Sequence, residues 1–189
     1  MHPVRTAAIV LALLMLGGAT VAIASGDHDK GRDGKNGRTA SARLVNAAGE
    51  TVGSVWLHDS RGRDTTVFAR VHGLPPGVHG FHIHTTGVCT PPDFTSAGSH
   101  LNPAGAMHPN HAGDMSTLLV NADGTGELAL ETDRFSVRDL RDADGSAVMV
   151  HALPDNYANI PTRYSPQPPD ATTTGTGDAG GRIACGVVR

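Results

Sequence analysis

The chain is short of aromatic residues, 4% of 189, and short of charge, with Asp, Glu, Lys and Arg together at 17%. It has two cysteines and one tryptophan. From residue 40 onward it has no lysine at all, and 10 arginines face 15 carboxylates, a balance of −5. Each shortage excludes something. Low apolar and charged content, with hydrophobic residues at 39%, argues against a helical bundle or coiled coil, which draw heavily on Ala, Leu, Glu and Lys. Without clustered Lys and Arg there is no basic field for phosphates, so nucleic acid is not an expected partner. Past residue 25 no window of a dozen residues carries helical periodicity. What the chain has in quantity is Gly (24), Pro (12) and His (11). The first two suit short strands joined by many turns; the third demands a reason.

The one long apolar run, residues 7–24, sits behind Arg5 and ends in the small-x-small triplet Ala22-Ile23-Ala24. This reads as a signal peptide over 1–24, cleaved on export. Left uncut, its 18 residues would just span a bilayer. Either way the expected location is secreted or cell-envelope, membrane-tethered only if the leader stays. Residues 25–39 (SGDHDKGRDGKNGRT) are nearly all small, polar or charged and bury too little to offset their ordering entropy, so a disordered tether is expected. The domain proper is expected over 40–189. In an exported protein Cys89 and Cys185 most simply form one disulfide; two free thiols or a shared metal site are the alternatives.

Within the domain, period-two alternation marks strands at 41–46, 51–58, 65–71, 79–84, 117–121, 127–131, 146–151 and 183–188. Turn signals separate them, among them Leu74-Pro75-Pro76-Gly77 and the hairpin pair Asp123-Gly124. Residues 137–142 allow a single helical turn. The expected fold is all-β: an eight-stranded antiparallel Greek-key barrel or sandwich. Two segments, 85–116 and 152–181, break the strand rhythm, and long loops in a compact domain are usually functional or disordered.

The histidines decide which. His82 and His84, two apart on a predicted strand, share a face, and His79 has the opposite parity. The first long loop gathers His100, His108, His111 and Asp114, a complete tetrahedral set for zinc with no position left open. His151 ends an apolar run where a strand delivers it to the rim of the sheet. With His82 and His84 it completes an imidazole-rich site of the kind that suits Cu(II).

Gly80 to His84 (GFHIH), Ser96 to Pro103 (SAGSHLNP), His111 to Met115 (HAGDM), Val150-His151 and Thr176 to Val187 (TGDAGGRIACGV) together resemble the copper/zinc superoxide dismutases, in their exported bacterial form. The resemblance runs from about residue 40 to the C-terminus. It implies copper on His82, His84, His100 and His151, and zinc on His100, His108, His111 and Asp114, with the His100 ring shared. It pairs Cys89 with Cys185, places Arg182 beside the copper, and makes Asp155 the carboxylate that orients ligands of both metals. The implied activity is dismutation of superoxide to O2 and hydrogen peroxide, an antioxidant role, by a monomer or homodimer. Three features depart from the family pattern. His108 and His111 are unusually close; the segment 152–181 has Arg163 as its one basic residue; and nothing maps onto a known dimer interface. Two other readings stand beside catalysis: a non-catalytic copper/zinc buffer or carrier on the same barrel, and a binding sandwich with incidental histidines.

Overall fold

The computed structural model describes residues 38–60 and 64–189. The expected signal peptide and all but the last two residues of the expected tether lie outside them. The first strand begins inside that tether: β1 spans Thr39–Asn46. It is followed by β2 (Thr51–Asp59), β3 (Thr65–Val71), β4 (Gly77–His79), β5 (Phe81–His84), β6 (Leu118–Val120), β7 (Gly126–Thr132), β8 (Ala147–His151) and β9 (Arg182–Val187). One antiparallel sheet runs β5-β8-β9-β1-β2-β3-β7, and β4 pairs with β6 in a short second ladder.

Alternation places the core. Ala40, Ala42 and Leu44 of β1, Val55 and Leu57 of β2, and Val67, Ala69 and Val71 of β3 all face inward, joined by Phe81 and Ile83 of β5. A smaller cluster of Phe94, Ala97, Ala147, Met149 and Cys185 packs around the Cys89–Cys185 disulfide, whose Cα atoms are 5.7 Å apart.

The stretch expected as one strand over 79–84 is two, β4 and β5, so one strand of the barrel comes in two pieces. Gly80 is the corner between them. Its N–H donates to Leu153 O and its carbonyl accepts from His151 N–H, both at 2.8 Å. A Cβ there would lie 2.7 Å from Ala179 Cβ, so only glycine allows the chain to leave one ladder and enter the other at this point.

Both long segments are irregular yet tied down. The backbone of β5 holds the first: Ile83 N–H donates to Gly113 O (2.9 Å), and Leu101 N–H donates to Ile83 O (2.8 Å). The second contains a helix that periodicity does not reveal, α1 (Ala171–Thr176). Its sequence, ATTTGT, is poor in helix formers. The ends make it: Asp170 accepts from Thr173 N–H at 2.9 Å, and Gly177 closes it in the left-handed region at φ 62°. The single turn expected over 137–142 is a 3-10 turn at Asp139–Arg141.

Candidate metal centre

Strand β5 delivers His82 and His84 to one face, while Phe81 and Ile83 go to the core. β8 adds His151 from the neighbouring strand, two residues past Met149, the cross-strand partner of His82, and so on the same face. The first long segment is drawn across them by isolated bridges between His84 and His100 and between His82 and Asp114. The result is two adjoining groups: His82, His84, His100 and His151, and His100, His108, His111 and Asp114. Within each group one ligand atom per residue lies within 4.8 Å of all the others. His100 belongs to both. His79 joins neither; its ring is buried between the carbonyls of His151 and Pro75, each at 2.8 Å.

All seven residues of the two groups are buried, none more than 5% exposed, so their polar atoms need partners. The outward nitrogens have them. His84 Nδ1–H donates to Gly98 O (2.9 Å) and His151 Nδ1–H to Gly180 O (3.1 Å). His82 Nε2–H and His108 Nε2–H donate to the two oxygens of Asp155, at 2.7 and 2.8 Å. A carbonyl accepts only, so Nε2 of His84 and Nε2 of His151 are both bare lone pairs in the neutral rings, yet they face each other at 3.3 Å. His82 Nδ1, His100 Nε2 and His108 Nδ1 are buried without any hydrogen-bond partner. In the second group His100 Nδ1 lies 2.8 Å from Asp114 Oδ1 and 3.3 Å from His111 Nδ1. His108 Nδ1 is 3.0 Å from Asp114 Oδ2, close enough for an ion pair but without hydrogen-bond geometry. Lone pairs converging on common points, with the opposite ring nitrogens fixed by outer acceptors, are what metal ions require of imidazoles. The first group, all nitrogen, fits copper; the second, with its carboxylate, fits zinc.

Electrostatics separates the two groups. Burial, reinforced by the neighbouring His100, pushes His84 down to about 2, and burial together with His82 pushes His151 down to about 3. These rings stay neutral, with their lone pairs available. Burial would also lower His108, but the carboxylates of Asp114 and Asp155 overcome it and carry that ring up to about 9. Both carboxyls are held well below the usual carboxylate range despite burial, Asp114 by the hydrogen bond to His100 and the close His108 ring, Asp155 by hydrogen bonds to His108 and His82. Asp155 thus holds one ring of each group, with a third bond from Tyr157 N–H at 2.7 Å.

A cleft of about 420 Å³ opens onto the first group, where His84, His100 and His151 form part of its wall. Arg182, the first residue of β9, is the one arginine among the residues lining it. Its Nη1–H donates to Phe94 O and its Nη2–H to Gly98 O, both at 2.6 Å. Gly98 O therefore fixes both Arg182 and His84. Arg163 is not part of this wall; it lies over the Tyr164 ring, 4.8 Å from its centre. Three contributors have no signal in the sequence: the carbonyls of Gly98 and Gly180, which any residue type could supply, and Arg134, whose guanidinium donates to the backbone carbonyls of Pro109, His111 and Asp114. Tyr157 stacks near His108, with ring centres 6.4 Å apart, and its hydroxyl oxygen accepts from Thr117 N–H at 2.9 Å.

Fold and donors together define a class: an antiparallel β-barrel with two adjoining groups able to hold metal ions and one ring common to both. The family model for copper/zinc superoxide dismutase matches residues 51–188, and the chain belongs to that family. A Cu-Zn superoxide dismutase of Mycolicibacterium paratuberculosis is 42% identical over 130 residues, covering 61% of this chain and 57% of that protein. An extracellular Cu-Zn superoxide dismutase of Onchocerca volvulus is 34% identical over 167 residues, covering 85% of this chain and 80% of that one. Among solved structures, a SOD-like protein from Bacillus subtilis superposes with a TM-score of 0.63 at 32% identity, over 78% of this chain and 96% of the other.

Proposed function

We propose that the chain dismutates superoxide, with copper held by His82, His84, His100 and His151 and zinc by His100, His108, His111 and Asp114. The observation that carries this reading is His100, a buried ring that is a member of both groups with Nε2 unpartnered. Bound copper supplies the one-electron chemistry, and bound zinc a fixed positive charge. The balance is two superoxide anions and two protons in, one O2 and one hydrogen peroxide out. The residues do the rest. Arg182 presents a permanent charge to a small anion entering the cleft, aimed by its two carbonyl contacts. His100 Nε2 is where the chain can take up and return a proton while Nδ1 stays engaged beside Asp114. Asp155 keeps His82 and His108 turned inward. Thr172 and Thr176 of α1 line the mouth with hydroxyls and Asp178 adds a carboxylate, so Arg182 is the one arginine there to draw the anion.

Elemental analysis and a superoxide-consumption assay on the metal-loaded full chain test this. One copper and one zinc per chain, with consumption that tracks copper, are expected. Metal bound without consumption would favour the buffer or carrier instead. Arg182→Ala is expected to cut turnover about tenfold or more while both metals stay bound, and to flatten the dependence of rate on ionic strength. Unchanged turnover would remove Arg182 from the reaction.

We further propose export of a domain covering 40–189 behind a cleaved leader. The leader pattern and the disulfide support this, since disulfides persist in oxidising compartments.

A further inference from the structure

Arg134 stands in the connection after β7, outside both metal groups, yet its guanidinium reaches the segment that carries half of the site. Nη1 lies 2.7 Å from Pro109 O, 3.3 Å from His111 O and 3.5 Å from Asp114 O. That nitrogen carries two hydrogens. The geometry gives one to Pro109 O in a strong charge-assisted bond and shares the other between two longer contacts. Two of the three acceptors are the backbone carbonyls of His111 and Asp114, whose side chains belong to the second group. The third is the carbonyl of Pro109, next to His108. No other cationic side chain has hydrogen bonds to this turn among the described residues.

The base from which Arg134 reaches is firmly held. Its own N–H donates to Thr132 Oγ1 at the end of β7 (3.2 Å). The next residue, Phe135, is buried in the main core, and its carbonyl lies 2.7 Å from Thr65 Oγ1. The turn it grips is held by single bonds rather than by a ladder, among them Ile83 N–H to Gly113 O (2.9 Å) and His108 N–H to Thr174 O (2.9 Å). His82, His84 and His151 take their positions from strands β5 and β8, whereas residues 108–114 lie outside the named strands and meet β5 only through the isolated bridge of Asp114 with His82 and the Gly113 carbonyl.

We infer that Arg134 is a positioning residue for zinc: a strut from the β7–β8 connection that fixes the 109–114 backbone and so presets His108, His111 and Asp114 in a ligating arrangement. This rests on the reading that the second group holds zinc. A planar guanidinium suits the task better than an ammonium, which would serve one of the three carbonyls as a point charge. Outer partners of metal ligands are typically worth 10- to 100-fold in metal affinity, and Arg134 falls in that category although it touches backbone rather than imidazole.

The test is zinc titration of the metal-free full chain against a chromophoric chelator, with Co(II) as a spectroscopic probe of the same site. Arg134→Ala should weaken zinc binding about tenfold or more and alter the intensity of the Co(II) ligand-field bands. Copper affinity at the strand-borne group should stay within about twofold. Arg134→Lys should fall between, and it decides the matter if the alanine variant does not fold. Arg138→Ala, which removes an equal charge from the cleft that Arg134 also lines but none of the turn's hydrogen bonds, should bind zinc as the parent does. The inference is overturned if Arg134→Lys and any folded Arg134→Ala keep parental zinc affinity, if copper and zinc weaken together, or if Arg138→Ala weakens zinc equally. A parent chain that binds no zinc at all would instead overturn the reading of the second group, a separate result.

Discussion

Replacing Gly177 with alanine should destabilise the protein by about 2–5 kcal/mol and cost most of its zinc affinity. Two penalties add. Gly177 sits at φ 62°, where a side chain costs about 1–2 kcal/mol. Its missing Cβ would also clash with Asp155 Oδ1 and lie 2.5 Å from His108 Nε2, hard against the side of the bond between them. Forcing a methyl into such packing costs about 1–3 kcal/mol more. The site suffers most, because Asp155 cannot move away from Gly177 and still hold His82 and His108. Gly175→Ala is the control. It lies in the same helix, with nothing within 4 Å of its Cβ position, and should gain about 0.5–1 kcal/mol. Denaturant unfolding of both metal-free variants, followed by zinc titration, checks the pair. Equal stabilities would mean that the close approach at Gly177 is absent in solution.

The contrast between these two glycines shows which parts of the molecule are legible in its sequence. Strands β1 to β3 are legible because one face of each is buried and the other wet, which imposes a period of two on residue type. The two histidine groups are legible because few segments concentrate imidazole and carboxylate without a ligand to share. Gly80 and Gly177 are not. Each is glycine because a distant segment passes where its Cβ would be, and nothing local distinguishes them from a turn glycine. α1 was hidden for a related reason. Three threonines and a glycine speak against a helix, and what makes one is the bracket of Asp170 and Gly177, readable only if caps are weighed above propensity. Asp155 came from likeness to a family rather than from its own surroundings, since four residues after a histidine is no physical argument. Its hold on two rings appears only when 82, 108 and 155 are brought together. Arg134 is the limiting case: recognition of backbone carbonyls is blind to the identity of the residues recognised.

Removing the disulfide, as Cys89→Ala with Cys185→Ala, is expected to lower the stability of the metal-free chain by about 4–5 kcal/mol, a large share of what a domain of this size has. The crosslink joins residues 96 apart in sequence, and in the chain-entropy model its loss returns that freedom to the unfolded state. Alanine is the right replacement because Cys185 is fully buried in an apolar cluster where a serine hydroxyl would find no partner. A second effect reaches the site. Cys89 begins the segment whose Phe94 and Gly98 carbonyls aim Arg182, and Cys185 lies three residues beyond Arg182 on β9. The disulfide therefore ties the arginine's strand to the arginine's acceptors. Without it, that segment is left to the burial of Phe94 and Ala97 against Ala147 and Met149 and to the bonds from Thr86 N–H to Ala97 O (3.0 Å) and from Thr85 N–H to Ser99 O (2.9 Å). The metal-loaded variant, kept where it remains folded, should bind both metals yet consume superoxide severalfold more slowly, with Gly98 O still holding His84. Urea unfolding without metals measures the first effect, and turnover per bound copper measures the second. A variant within 1 kcal/mol of the parent would show that the unfolded chain is already compact around this loop. Undiminished turnover would show that these remaining contacts suffice to hold the carbonyls in place.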